Sequence, residues 1–188
     1  PGTLTDTALL DETKDNALLS ICFGEGLVGL ARLNLASGSF VLSEIAIGHL
    51  AQEIERINPA EIICADDVKH EAIELHKAPK KHTATWQFDF ETATKTLTKQ
   101  LNTRDLNGFG CGELSVAVSA AGALLEYAKH TQRTTLPHIT ALSVEQTSQY
   151  IQLDAATRRN LEIDTTLRGE ASPTLYSLFN TTKTAMGA

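Results

Sequence analysis

The sequence predicts an α/β fold in which a mixed β-sheet is flanked by helices. Two observations predict it: three apolar runs separated by short glycine turns, and the alternation of helical and strand-like patterns that follows them. The chain has 188 residues, 42% hydrophobic and 21% charged, which is the composition of a globular protein with a packed core.

The first apolar runs predict three consecutive antiparallel strands. They cover residues 17–23, 27–36 and 40–45, and the segments between them are Gly24-Glu25-Gly26 and Ser37-Gly38-Ser39. Glycine turns between apolar runs are typical of hairpins. We therefore expect a three-stranded meander.

The hydrophobic period then changes from strand to helix. Leu50, Ile54 and Ile57 fall at helical spacing, and Asn58-Pro59 ends this helix before a buried strand at residues 61–65. This alternation indicates an α/β unit that extends the sheet.

A second α/β unit is predicted between residues 66 and 88. Asp66 and Asp67 are candidate N-caps for a helix that ends at about residue 75 or 76. A basic loop broken by Pro79 occupies residues 76–83, and residues 85–88 are expected to form a strand.

Two longer helices follow. The first covers residues 90–101, with Phe90, Leu97 and Leu101 on its inner face and a threonine-rich outer face. The second covers residues 113–131 and is almost wholly small or apolar, which predicts burial on most of its sides. The resulting order, β-β-β-α-β-α-β-α-α, is that of ribonuclease-H-like domains.

A short helical extension is predicted after the sheet domain. An extended stretch follows Pro137, Asp154 is a candidate N-cap for one short helix, and Ser172-Pro173 is a candidate N-cap and N1 pair for another. We place a domain boundary between about Pro137 and Leu153, which divides the chain into residues 1–140 and 141–188. The extension is expected to expose Leu161, Ile163, Leu175, Leu178 and Phe179.

The charge and the apolar pattern exclude several classes of protein. A net charge of −7 disfavours a sequence-independent nucleic-acid binder, and no apolar run approaches the ~20 residues of a bilayer span. The first residues also lack a signal-peptide pattern, so we expect a cytoplasmic protein without membrane contact. Cys22, Cys64 and Cys111 are far apart and odd in number, which predicts free thiols.

The motifs argue against catalysis. A ribonuclease-H-like nuclease needs a carboxylate in its first strand, which residues 17–23 lack, although Glu53 or Glu55 and Asp66 or Asp67 could fill the other places. The phosphate loop is absent, Gly108, Gly110 and Gly112 do not match the dinucleotide fingerprint, and a second histidine is missing after His70. We predict no catalytic, cofactor or metal site, with a degenerate nuclease kept as an alternative.

Several ordered strings resemble bacterial MutS, the DNA mismatch-repair family. They are TRDLNGFG at 103–110, AAGALLEYAKHTQRTTLPHI at 120–139 and LDAATRRNLEI at 153–163, with PGTLTDTALLD at the start and TKTAMGA at the end. The resemblance implies an internal fragment: residues 1–140 would be the connector domain and residues 141–188 the start of the helical core.

The resemblance also implies partners. The full-length parent would be a dimer that encircles mismatched DNA, reads mispairs through a Phe-x-Glu motif, hydrolyses ATP with Mg²⁺ and recruits MutL, acting on the nucleoid during repair. Neither the Phe-x-Glu motif nor the phosphate loop occurs here, so those residues cannot be carried over. What remains is the connector's part: to link domains, transmit nucleotide-dependent change and offer a docking surface for MutL.

Two sets of exposed residues are candidate contacts. For MutL we select the outer face of the helix at 90–101, and for minor phosphate contacts the basic loop; the alternatives are ordinary solvated surfaces and a spacer that binds no partner. The MutL set is Thr92, Lys95, Thr96 and Lys99, and the phosphate set is Lys77, Lys80 and Lys81.

Overall fold

The computed structural model describes residues 17–145, 153, 155–163 and 165–180. It contains two compact units. The larger unit contains a six-stranded sheet and four α-helices, and the smaller unit contains two short helices.

The predicted meander is confirmed. Strands β1 (Ala17–Phe23), β2 (Leu27–Asn34) and β3 (Phe40–Ala46) pair antiparallel, with Cys22 opposite Gly29 and Gly29 opposite Glu44. The turn between β2 and β3 is closed by Asn34, whose side chain accepts the backbone N–H groups of residues 36 and 37.

Three further strands join in parallel. Strand β4 (Glu61–Ala65) pairs with β1, β5 (Lys80–Thr83) pairs with β4, and β6 (Ser143–Val144) pairs with β3. The strand order is β5-β4-β1-β2-β3-β6. A mixed sheet of a three-stranded meander with parallel α/β additions confirms the predicted fold class.

Helices cover both faces of the sheet. Helices α1 (Leu50–Ile57) and α2 (Glu71–Leu75) pack with Leu19, Ile21 and other residues of one face, and α3 (Phe90–Leu101) and α4 (Ser115–Gln132) pack with Leu18, Leu33 and other residues of the opposite face. Because side chains alternate along a strand, Leu18 and Leu19 enter different cores. A short 3₁₀ helix, residues 47–49, leads into α1.

Helix α4 lies against the sheet at unusually short distance. A Cβ atom at Gly29 of β2 would be 2.3 Å from the carbonyl carbon of Val116 and 2.4 Å from the amide nitrogen of Ala117. Ordinary contacts are about 3.5–4.0 Å, so only glycine allows the start of α4 to sit directly on β2. Ten residues of α4 are buried, as its apolar sequence predicts.

Strand β5 lies earlier in the chain than predicted. Residues 85–88, expected to be a strand, form a 3₁₀ helix, while Lys80–Thr83, expected to be part of a loop, form β5 at the sheet edge. The predicted basic loop is therefore wrong over residues 80–83. Edge strands are often short and carry lysine, so they lack the apolar alternation of central strands.

Two predicted details of the helices in the larger unit are wrong. The N-cap of α2 is His70, whose imidazole accepts the N–H of Ala72, and the carboxylate of Asp66 instead accepts the hydroxyl of Thr85 at 2.9 Å. Phe90 was expected on the inner face of α3, but it is 44% exposed because it begins the helix.

The smaller unit contains α5 (Ala155–Asn160) and α6 (Leu175–Phe179). The N-cap of α6 is Thr174, which forms a capping box with Ser177, so the predicted Ser172-Pro173 cap is wrong by two residues. The predicted cap Asp154 and much of the extended stretch lie outside the described residues. The expected exposure is found, except that Ile163 is half-buried; the exposed residues are Leu161, Leu175, Leu178 and Phe179.

No helix in the described ranges combines the length and apolarity that crossing a membrane requires.

Candidate partner-docking surface

Which side of α3 is exposed is determined by the burial of its opposite side. Ala93, Leu97 and Leu101 are buried against α4 and the sheet. A Cβ atom at Gly122 of α4 would lie 2.3 Å from the Cβ atom and 2.4 Å from the Cα atom of Ala93. The backbones of α3 and α4 therefore approach closely, and the orientation of α3 is tightly constrained.

The start of α3 is capped by Asp89. Its carboxylate accepts the backbone N–H of Thr92 at 2.9 Å, which satisfies one free donor of the first turn. The hydrogen bonds from the backbone and side chain of Thr92 hold the pKa of Asp89 below its usual value. On either side of this cap, Trp86 is 69% exposed and Phe90 is 44% exposed.

A shallow cleft lies where the 3₁₀ helix Thr85–Phe88 meets α3 and α4. Its volume is about 220 Å³, below the ~300–1,000 Å³ of small-molecule sites. The cleft therefore has room for one or two side chains of a partner protein. Its lining residues are Trp86, Gln87, Thr92, Ala93, Thr96, Gly122 and Glu126.

The structure places the four predicted MutL contacts on one exposed side of α3. Thr92 and Thr96 line the cleft, while Lys95 and Lys99 are exposed beside it. The ammonium of Lys95 lies 3.9 Å from the carboxylate of Glu91, and because both side chains are about four-fifths exposed, this ion pair contributes little. The lysines are free to meet another molecule.

The three predicted phosphate contacts do not form one basic loop. Lys80 and Lys81 belong to β5, and the ammonium of Lys80 donates to the carbonyl oxygens of Glu74 and His76 at the end of α2. Lys77 and Lys81 are exposed. Since Lys80 donates its hydrogen bonds to the protein's own backbone, Lys77 and Lys81 are the two of the three predicted residues that remain available to contact a phosphate.

Two of the four carboxylates considered for a nuclease have other roles. Glu53 forms an ion pair with Arg56, and Asp66 binds the Thr85 hydroxyl. In the ranges the structure describes, no group of three or more His, Cys, Asp or Glu side chains is placed to hold a metal ion.

Glu44 anchors the helix that supports the surface, and sequence reasoning missed it. Its carboxylate accepts the backbone N–H groups of Val116 and Ala117 at 2.9 and 3.0 Å, which caps α4 from strand β3. A carboxylate also stabilises the positive end of the helix dipole. The sequence feature that could have indicated this role is that Glu44 is a single acidic residue inside the apolar run at 40–45.

Trp86 and Glu126 were also missed as members of the surface. Trp86 was assigned to a strand, and Glu126 was counted only as part of the buried helix. The segment TWQF alternates polar and apolar residues as a strand does, so the available contrary signal was that it directly precedes Asp89, a good N-cap residue.

A second side-chain hydrogen bond joins the same helix to the sheet. Tyr127 of α4 donates a hydrogen bond of 2.6 Å to Glu61 at the start of β4. Burial, followed by this contact with the Glu61 carboxylate, raises the pKa of Tyr127 to about 12. The other carboxylate oxygen of Glu61 is buried and has no hydrogen-bond partner within the described part of the chain.

The protein-family model described as MutS domain II matches residues 16–140, a range that contains strands β1–β5 and helices α1–α4.

Proposed function

Because this chain belongs to the MutS family, with domain II matching well over half of its length, we propose that its connector domain docks MutL and couples the other domains of its parent. Domain II is the connector domain of this mismatch-repair protein. The proposed role is non-catalytic: the domain links the mismatch-binding part to the core and transmits nucleotide-dependent change.

The exposed side of α3 and the adjoining cleft carry this proposal. An exposed indole, an exposed phenyl ring and a polar rim form the combination that is enriched at protein interfaces. The surface also rests on a stiff support, since Gly122, Gly29 and Glu44 hold α3, α4 and the sheet together. A rigid body of this kind suits a domain that moves as a unit between two placements.

We further propose that residues 141–188 begin the helical core of a longer, bacterial, cytoplasmic protein. That parent would be a homodimer that binds mismatched DNA and hydrolyses ATP with Mg²⁺. The exposed apolar residues of α5, α6 and the segments beside them support this proposal, since such residues normally pack against further structure.

A titration against MutL tests the docking proposal. The 188-residue chain is titrated onto immobilised MutL at physiological salt, with mismatched duplex DNA as the comparison. We expect saturable binding to MutL and little binding to DNA, because the chain carries a net charge of −7. No binding to MutL would leave the domain as a structural spacer.

Charge reversal locates the surface. Lys95→Glu combined with Lys99→Glu is expected to weaken binding to MutL roughly tenfold, mainly through slower association. Lys77→Glu with Lys81→Glu makes the same charge change outside the surface and should have little effect. In the full-length parent the first pair should leave mismatch binding and ATP turnover intact. Equal binding of MutL by both double variants would show that α3 is not part of the docking surface.

A further inference from the structure

The cleft beside α3 combines an aromatic wall with an acidic one. Trp86 presents an indole that is 69% exposed, and Glu126 of α4 lines the same cleft with a side chain that is 54% exposed. Ala93 and Gly122, which are both buried, also line the cleft. An exposed indole and an exposed carboxylate are therefore open to the same incoming group.

The charge in the lining of the cleft favours a cation. Glu126 is the charged residue among those that line it, while Asp89 and Glu91 at the start of α3 and the exposed Lys95 and Lys99 lie outside the lining. Glu126 has an ion pair with Lys129 at 3.9 Å, three residues along α4. Ion pairs of this spacing on a helix are worth only about 0.2–0.5 kcal/mol, so Glu126 can exchange its contact with Lys129 for a cation that enters the cleft.

We propose that the cleft receives an arginine side chain of the protein that docks on α3. The inference rests on the proposed docking function. The guanidinium stacks on the indole of Trp86 and pairs with the carboxylate of Glu126, and its remaining N–H groups meet polar atoms such as the hydroxyl of Thr96. A planar guanidinium suits both contacts, whereas the ammonium of lysine is a hydrated point charge. The volume of about 220 Å³ suits one such side chain.

The single tryptophan of the chain makes the cleft directly observable. Its indole N–H produces one signal in a ¹⁵N correlation spectrum, and that signal reports on Trp86 alone. The chain is titrated at millimolar ligand with a capped Leu-Arg-Leu peptide, and then with the same peptide carrying lysine or citrulline. Citrulline keeps the planar shape of arginine and removes its charge.

We expect the arginine peptide to shift the indole signal saturably, the lysine peptide to bind more weakly, and the citrulline peptide to bind least. Glu126→Gln should weaken the arginine peptide about fivefold, whereas Glu71→Gln, an exposed change on α2, should leave it unaltered. Equal shifts by arginine and citrulline, or no shift by arginine, would overturn the assignment.

Binding to MutL separates failure of this inference from failure of the proposed function. If unaltered chain binds MutL but Glu126→Gln and Trp86→Leu bind it equally well, the surface docks MutL without an arginine in the cleft. If the arginine peptide binds the cleft and the unaltered chain does not bind MutL, the assignment of the cleft as an arginine site is kept, and the protein that docks there is not MutL.

Discussion

The contact between Gly122 and Ala93 leads to a quantitative prediction for Gly122→Ala. The new Cβ atom would lie 2.3 Å from the Cβ atom and 2.4 Å from the Cα atom of Ala93. Ordinary carbon–carbon contacts are about 3.5–4.0 Å, so α3 and α4 would have to separate by roughly 1 Å or more. Because Leu97 and Leu101 are buried on the same face of α3, this movement also disturbs their packing.

Two effects of opposite sign decide the size of the change. Alanine favours a helix over glycine by about 1 kcal/mol. Overpacking of a filled core costs roughly 1–3 kcal/mol, and more where the obstacle is backbone, which cannot rotate away. We expect a net loss of about 2 kcal/mol in the free energy of unfolding, which lowers Tm by about 4–8 °C in a chain of this size.

Urea unfolding followed by circular dichroism measures this loss. Gly48→Ala is the matched control, since a Cβ atom at Gly48 meets no other atom within 4 Å, and its stability should stay within about 0.5 kcal/mol of the unaltered chain. Ala93→Gly combined with Gly122→Ala should recover only part of the loss, because the Cα atom of residue 93 remains in the way. A Gly122→Ala chain as stable as the original would refute the reasoning, since it would mean that the two helices separate without cost.

Three other predictions concern buried polar and sulfur groups. Glu44→Ala removes the carboxylate that caps α4 and should lower the free energy of unfolding by about 1–2 kcal/mol in urea titrations, whereas Glu25→Ala in the exposed turn should change little. Tyr127→Phe leaves the Glu61 carboxylate buried without its donor and should cost about 1–3 kcal/mol by the same measurement; no loss would show that water reaches Glu61. Burial raises the pKa of Cys22 and Cys64 to about 11, so both thiols stay protonated at neutral pH. Alkylation by iodoacetamide, followed by mass spectrometry, should be slow below about pH 9 and accelerate toward pH 11, and fast labelling at neutral pH would contradict it. The thiol pKa values are raised only in the folded state, so the protonated buried thiols contribute their full stabilisation at pH values below the usual thiol pKa. This contribution decreases as the pH rises above that value and is lost as the pH passes about 11.

The sequence predicted the elements whose signals are local. The glycine turns defined the meander, the helical spacing of Leu50, Ile54 and Ile57 defined α1, and the bounds of α3 were predicted correctly. Periodicity and turn chemistry act over a few neighbouring residues, so they can be read along the chain. The resemblance of several strings to MutS, confirmed over residues 16–140, added the family.

The tertiary structure decided everything that depends on residues far apart in the chain. Strand β5 exists because the backbone of residues 80–83 pairs with β4, although its side chains show no strand pattern. Glu44 caps α4 across 72 residues, and Gly122 is required only because Ala93 lies against it. Likewise, Trp86 and Glu126 are 40 residues apart and share a cleft only after α3 and α4 pack. Burial and close approach are properties of the assembled core, and for that reason no local pattern in the sequence predicts them.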